Sequence, residues 1–339
     1  MEKPYIQHDG RVVKKGSRFP HIMAVTLDPR MGYLEGVVRC ITSREGDVAM
    51  SGYIDRSELH KVVGSSLDSF SVGNKLNIKK EDEVVGQLKQ NGLDFIGLED
   101  PDIWIDEEND LLHLYFTLPL IDPTEYGKNQ IHLGHAVGKN LDSLEMTASV
   151  LRADAIGCAK ELSVAPVNSQ GFRYNLVESC KKELDLTYSV VRIAEAHDMG
   201  AQWKFGEIVF HPKEHKIAWI GGHASPGPLF SEKFIDLGKG RRLGLINGRE
   251  ASQQVNGKTK HGMFSVGLFV YDYEKGKIEW VSPEPFIQDS EAKTITFASQ
   301  FVETKAGEGI LYAHVDDSFI RAYTLNADLI KPFLPKLTQ

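Results

Sequence analysis

Short β-rich runs separated by turn signals recur along nearly the whole chain, and this recurrence restricts the possible folds more than any other feature. Val37-Val38-Arg39-Cys40-Ile41 and the stretch Asp47 to Ile54 flank the turn cluster Ser43-Arg44-Glu45-Gly46, a hairpin pattern. A second cycle runs from Ile103 through the acidic turn Asp106 to Asp110 into Leu111 to Thr117, then Gln130 to Leu141. A third holds Ala159 to Pro166, Arg173 to Val177 and Tyr188 to Ala194. The fourth covers Glu207 to Phe210, Ile217 to Ile220, Leu243 to Gly248 and Gly267 to Asp272, and the fifth Ile295 to Val302, Gly309 to Val315 and Ser318 to Tyr323. Long amphipathic helical periods are missing from the pattern. Cycles of about four strands predict an all-β chain and a five-bladed β-propeller, in which radial repetition protects the sheet edges. A pair of β-sandwiches is the alternative. On this reading residues 1–339 form a single domain, with about 1–18 and 326–339 as terminal extensions.

The formal charge of -8 argues against nucleic acid as a partner, since a phosphate backbone calls for a basic face. The basic clusters Lys14-Lys15 and Lys239 to Arg242 are short and isolated. Residues 55 to 93 are more polar, and Lys79 to Glu83 is a charge run expected at a solvated surface. The N-terminus lacks the apolar core of a signal peptide, and no run of about 18 apolar residues is present to span a bilayer. A cytoplasmic location is expected, with no membrane partner. Cys40, Cys158 and Cys180 are odd in number and far apart in sequence, which predicts reduced thiols in place of a disulfide framework or zinc site. His211, His215 and His223 are spaced too irregularly for a ligand set, so neither metal nor cofactor is expected.

In a propeller the innermost strands line a central funnel, so polar residues at their starts converge from distant positions. Glu99, Asp100 and Asp102 gather around Pro101 before a strand, where neighbouring carboxyls push their pKa values apart and one holds a proton while another stays ionised. Lys160, Glu161, Glu207, His223, Arg249, Glu250, Asp316 and Asp317 are the other candidates. Set against them, Asp106 to Asp110 are ordinary turn formers, and strand-end glutamates such as Glu161 and Glu207 are usually solvated. Trp104 and Trp203 lie near the expected site, although core packing is the default for tryptophan.

Gly97-Leu98-Glu99-Asp100-Pro101-Asp102-Ile103 resembles the Gly-x-Glu-Asp-Pro-Arg-Ile signature of glycoside hydrolase family 130, five-bladed propellers that include β-mannoside phosphorylases and mannosidases. Ala159-Lys160-Glu161, Ser225-Pro226-Gly227-Pro228-Leu229 and Leu311 to Ser318 resemble further family segments in the same order. The resemblance implies Asp100 as general acid, Asp317 beside the sugar or phosphate and Lys160 as a phosphate or sugar contact. Asp102 stands where the family's phosphorylases carry arginine, and Asn247 where they carry histidine. Each departure weakens an anion clamp. Hydrolysis is therefore favoured, by an inverting mechanism in which Glu161 or Glu207 activates water across a wide carboxylate gap. Glu99, Asp102, Trp104, Lys160, His223, Asn247, Arg249 and Asp317 would bind a β-linked, mannose-containing oligosaccharide. The alternatives are phosphorolysis, a furanosidase-type propeller hydrolase, and a carbohydrate-binding propeller without activity. Oligomeric state is left open.

Overall fold

Runs such as Leu111–Ile121 and Phe264–Asp272 are apolar on both faces and almost wholly buried. Such strands need cover on both sides, which stacked sheets provide. The computed structural model describes residues 3–14, 18–89, 92–122, 129–154, 157–183 and 186–336. It is all-β: among the described residues the longest helix is Glu81–Leu88, exposed on most of its surface as the charge run at its start predicts.

The strands follow one another in antiparallel meanders. In the first sheet His21–Leu27, Glu35–Glu45, Ile54–Ser66 and Ser69–Lys75 lie in sequence order, with Val13–Lys14 along the outer edge. The second orders Glu99–Asp106, Leu111–Ile121, Gln130–Gly138 and Glu145–Met146 in the same way. Lys160–Ser163, Arg173–Glu183, Leu186–Ala196 and Lys204–Phe210 make a third meander. His223–Leu229, Arg241–Arg249, Phe264–Asp272 and Lys277–Val281 make a fourth, joined to the third by one parallel bridge between Ser189 and His223. The last sheet contains Thr296–Lys305, Glu308–Val315 and Phe319–Asn326, and its outer strand is Tyr5–Gln7 from the other end of the chain.

Five apolar clusters each join two of these units. Val37 and Leu59 pack with Leu112 and Leu114 between the first and second, and Tyr115 with Val177 between the second and third. Leu176 meets Ile246 between the third and fourth, and Leu245 meets Leu311 between the fourth and fifth. Ile22 and Val38 pack with Tyr312 and Ile320, which brings the fifth back to the first. Amide side chains reinforce two of these seams. Asn247 accepts from the Ala298 backbone N–H at 2.7 Å and donates to the same residue's carbonyl at 3.2 Å. Gln300 does the same for Leu27, at 2.8 and 3.1 Å.

Several expectations are corrected. The first hairpin pairs Glu35–Glu45 with Ile54–Ser66, so residues 47–53 form its connection, and the polar region beyond contains two strands. Ile217 to Ile220 is not a strand, because Ala218–Ile220 forms a short 3₁₀ turn. Within the terminal segments, Tyr5–Gln7 is a sheet strand, and Ala327 and Ile330 are buried in the core beside it. Lys204–Phe210, taken for an inner strand, pairs with Leu186–Ala196 at the outer edge of its sheet.

Candidate active site

The first strand of four meanders carries a register shift at a corresponding place. The shifts fall between Met23 and Val25, Glu99 and Asp102, Lys160 and Leu162, and Ala298 and Gln300. In three of them the extra residue adopts a left-handed backbone: Ala24 at φ 47°, Asp100 at 47° and Glu161 at 52°. This conformation costs an L-residue roughly 1–2 kcal/mol. Bulges re-aim side chains, and strained residues of this kind gather at functional sites. Here the two carboxyl-bearing examples are turned toward each other, with Asp100 in hydrogen-bonding reach of Glu161.

Around this pair all five units contribute charge. Arg39 is buried and donates from Nη1 to Asp100 Oδ1 at 2.9 Å and from Nη2 to Glu99 Oε1 at 2.5 Å. Arg44 grips Asp55 at 2.7 and 2.6 Å and also donates to the Asp317 carbonyl at 2.9 Å. Tyr53 donates its hydroxyl to Asp317 Oδ2 at 3.3 Å, and His314 Nε2 lies 3.2 Å from Oδ1. On the opposite side Lys160 Nζ is 3.3 Å from Glu178 Oε1, with His223 Nε2 2.9 Å from the same oxygen. The Arg249 guanidinium lies over the Phe264 ring at 5.3 Å, next to His223.

Burial and these charges divide the carboxyls into two groups. Burial first, and then the Asp100 charge, push Glu161 well above the usual carboxyl range, with Lys160 offsetting only part. Glu161 is therefore the carboxyl of the pair whose neutral form is favoured. Burial also raises Glu99, against the pull of Arg39 and with the help of Asp100, to about 7. Glu178 behaves oppositely: burial opposes its charge, but His223 and Lys160 hold it well below the usual range. Asp317 is likewise held low against burial by His314, Arg39 and Arg44. His223 is pushed down to about 4 by burial, Arg249 and Lys160, despite Glu178. At pH 7 it is a neutral ring.

A two-stranded hairpin, Gln253–Val255 with Lys258–Lys260, rises from the fourth unit between Arg249 and His261. It reaches residues 47–53 of the first: Met50 bridges Lys260, Ser51 N–H donates to the Thr259 carbonyl at 3.0 Å, and His261 N–H to that of Ala49 at 2.8 Å. The crossing joins two units that share none of the five apolar clusters, and Tyr53 and His261 at its two feet belong to the charged cluster. A pocket of about 250 Å³ is lined by Ser57, Glu58 and Lys75 of the first sheet, by Glu81 and by the segment from Phe95 to Leu98.

Of the residues picked out from sequence, Glu99, Asp100, Lys160, Glu161, His223, Arg249 and Asp317 come together. Glu207 does not, being exposed on an outer strand. Asn247 is buried and committed to Ala298, which leaves its amide no role in holding a ligand. Trp104 has His113 edge-on at 5.1 Å and the Arg173 guanidinium at 5.3 Å, so protein occupies its ring. Trp203 is core. Asp102 sits apart, raised to about 7 by burial, with the Ile103 N–H pulling the other way. Asp316 caps the backbone N–H groups of Thr294 and Ile295, and Glu250 is exposed. Sequence reasoning passed over Arg39, Arg44, Tyr53, Asp55, Glu178 and His314. Arg39 and His314 had a visible signal, each being a polar group inside an apolar run, whereas Glu178 is one of several charges in its strand.

No family model and no curated protein matches the sequence. Solved structures match over nearly the full length. A β-1,2-mannobiose phosphorylase from Listeria innocua is 12% identical with a TM-score of 0.66, over 97% of this chain and 99% of its own. A structure described for glycoside hydrolase family 130, as hydrolases targeting β-1,2-mannosidic linkages in Candida mannan, is 16% identical with a TM-score of 0.62, over 96% and 94%. A mannose phosphorylase from Leishmania mexicana, solved with a phosphate ion, is 14% identical with a TM-score of 0.56, over 97% and 90%. The chain shares their fold.

Proposed function

We propose that this chain, which has the fold of the mannoside-active structures of glycoside hydrolase family 130, is itself a glycosidase that cleaves β-linked mannosides. Its five meanders would close into a five-bladed propeller, a reading supported by the apolar clusters that lead from each unit to the next and from the last to the first. The observation that carries the function is the approach of Asp100 to Glu161, both on strained bulge residues in a charged cleft. Glu161 carries the proton that burial and the neighbouring Asp100 charge favour. It would deliver that proton to the departing glycosidic oxygen, with Arg39 keeping Asp100 in place.

This contact changes the role expected of Glu161. An inverting pair needs about 6.5–9.5 Å between acid and base to admit a water, and two carboxyls in hydrogen-bonding reach leave no such gap. Asp317, held ionised in the fifth unit and joined to the Tyr53 hydroxyl, is our candidate for activating water. Lys160, His223 and Arg249 would hold sugar hydroxyls.

Water is favoured over phosphate as acceptor. With Glu161 favouring its neutral form and Glu99 raised to about 7, Asp55, Asp100, Glu178 and Asp317 still match Arg39, Arg44, Lys160 and Arg249 in number, and Arg39, Arg44 and Lys160 already face carboxylates. The cations nevertheless restore positive charge that the motif's Asp102 removes, which keeps phosphorolysis as the second reading. Incubation with β-1,2-mannobiose and with aryl β-mannosides, with and without inorganic phosphate, separates the cases. Free mannose at a rate insensitive to phosphate supports hydrolysis. Mannose 1-phosphate formed only with phosphate would establish phosphorolysis, and no cleavage of any mannoside would end the glycosidase reading.

A further inference from the structure

Far apart in sequence, Cys158 and Cys180 meet across the first two strands of the third unit. The register that sets Lys160 opposite Glu178, continued two residues outward, sets Cys158 opposite Cys180. The close approach of the two segments shows at Gly157, where a Cβ would lie 2.6 Å from Ser179 Oγ. Both thiols are free and partly exposed, and they lie within hydrogen-bonding reach of each other. Cys40, by contrast, is fully buried in another core. Because alternate residues of a strand share a face, the thiol pair adjoins the Lys160–Glu178 ion pair.

We propose that Cys158 and Cys180 form a thiol–disulfide site that reacts with low-molecular-weight disulfides of the glutathione type. Cys180 is the nucleophile: the Cys158 thiol, donating to it, draws its pKa down to about 7 against the effect of burial. A thiolate near that value is well matched to attack at neutral pH. Its sulfur attacks one sulfur of the small disulfide, whose S–S bond breaks and expels one thiolate. Cys158, giving up its proton, then attacks Cys180 sulfur in the mixed disulfide and expels the second. The protein loses two electrons and two protons. The small disulfide gains both as two thiols. The new bond would tie the strand carrying Lys160 and Glu161 to the one carrying Glu178, so oxidation would fix one wall of the charged cleft. This inference does not depend on the substrate proposed above.

The full-length protein treated with oxidised glutathione, then denatured for thiol titration and intact mass measurement, tests it. Two of the three thiols should disappear with no glutathione adduct, and peptide mapping should join position 158 to 180. Cys158→Ser should stop at one glutathione adduct on Cys180. Cys180→Ser should remain unmodified, with circular dichroism showing both variants folded. Retention of three thiols, a stable adduct on the unsubstituted protein, or a bond involving Cys40 would overturn the proposal. None of these readouts requires enzymatic activity.

Discussion

Asp100 and Glu161 belong to different sheets, yet each occupies the left-handed residue of a bulge, and their carboxyls come within hydrogen-bonding reach. Neither residue would adopt that backbone without support from its surroundings. The strained bulges keep the two carboxyls side by side before any ligand arrives.

Asp100→Asn and Glu161→Gln should each lower kcat by about 10²–10⁴-fold, as loss of a proton donor generally does. Their stabilities should differ. Glu161 is raised in the folded state, so its contribution is full below the ordinary carboxyl range and fades as pH rises. Glu161→Gln removes that loss and should unfold at a higher temperature than the parent above pH 7, measured by differential scanning calorimetry. A variant pair with unchanged kcat on a cleaved mannoside would refute the assignment.

Asp102 gives a pH signature away from the chemistry. Its carboxyl rises from an ordinary 3.8 to about 7 on burial, so it favours folding below pH 4 and loses this effect progressively up to about pH 7. Asp102→Asn should flatten that part of the stability curve, with a change of at most roughly 4 kcal/mol. Urea unfolding at pH 4.5 and pH 7.5 supplies the comparison. An identical pH slope in the two proteins would contradict it.

Arg39→Met should be among the most destabilising single changes in the cleft. It leaves Glu99 and Asp100 buried without their shared cation, a loss of about 3–5 kcal/mol for breaking a buried pair. Denaturant midpoints would show it, and acidification should recover part of the loss by protonating the two acids.

Asn247 and Glu207 should disappoint a search for catalytic residues, for different reasons. Asn247→Ala removes both links to Ala298 and should cost roughly 1–3 kcal/mol, with KM unchanged in the fraction that stays folded. Glu207→Gln should stay within about 0.5 kcal/mol of the parent, as exposed substitutions do, and keep full activity. A tenfold change in kcat for Glu207→Gln would return it to the site.

How much of this was legible follows from what a linear pattern records. Alternation and turn residues mark strands, which is why the all-β class and the acids before Ile103 could be read. They do not say which edge of a sheet a strand occupies. Glu207 and Glu161 therefore looked equivalent, although one lies on an outer strand and the other on a first strand. Arg39 stands out in an apolar run, but only its acidic partners on another sheet reveal why a charge is tolerated there, while Glu178 is one of several charges in its strand and nothing in the run marks it out. Asn247 was placed by motif order, which carries no information about the neighbouring backbone that claims its amide.

The pairing of Tyr5–Gln7 with Phe319–Asn326 bears on how the molecule is made. A ribosome releases the N-terminal strand first and its partner last. At about 5–20 residues per second the early strand waits on the order of 20 s to a minute for its ladder. A chain cut near its start leaves Phe319–Asn326 with a bare edge, a template for pairing with a second molecule. Chains lacking residues 1–8 should therefore form soluble multimers during expression, even with every charged residue of the cleft intact.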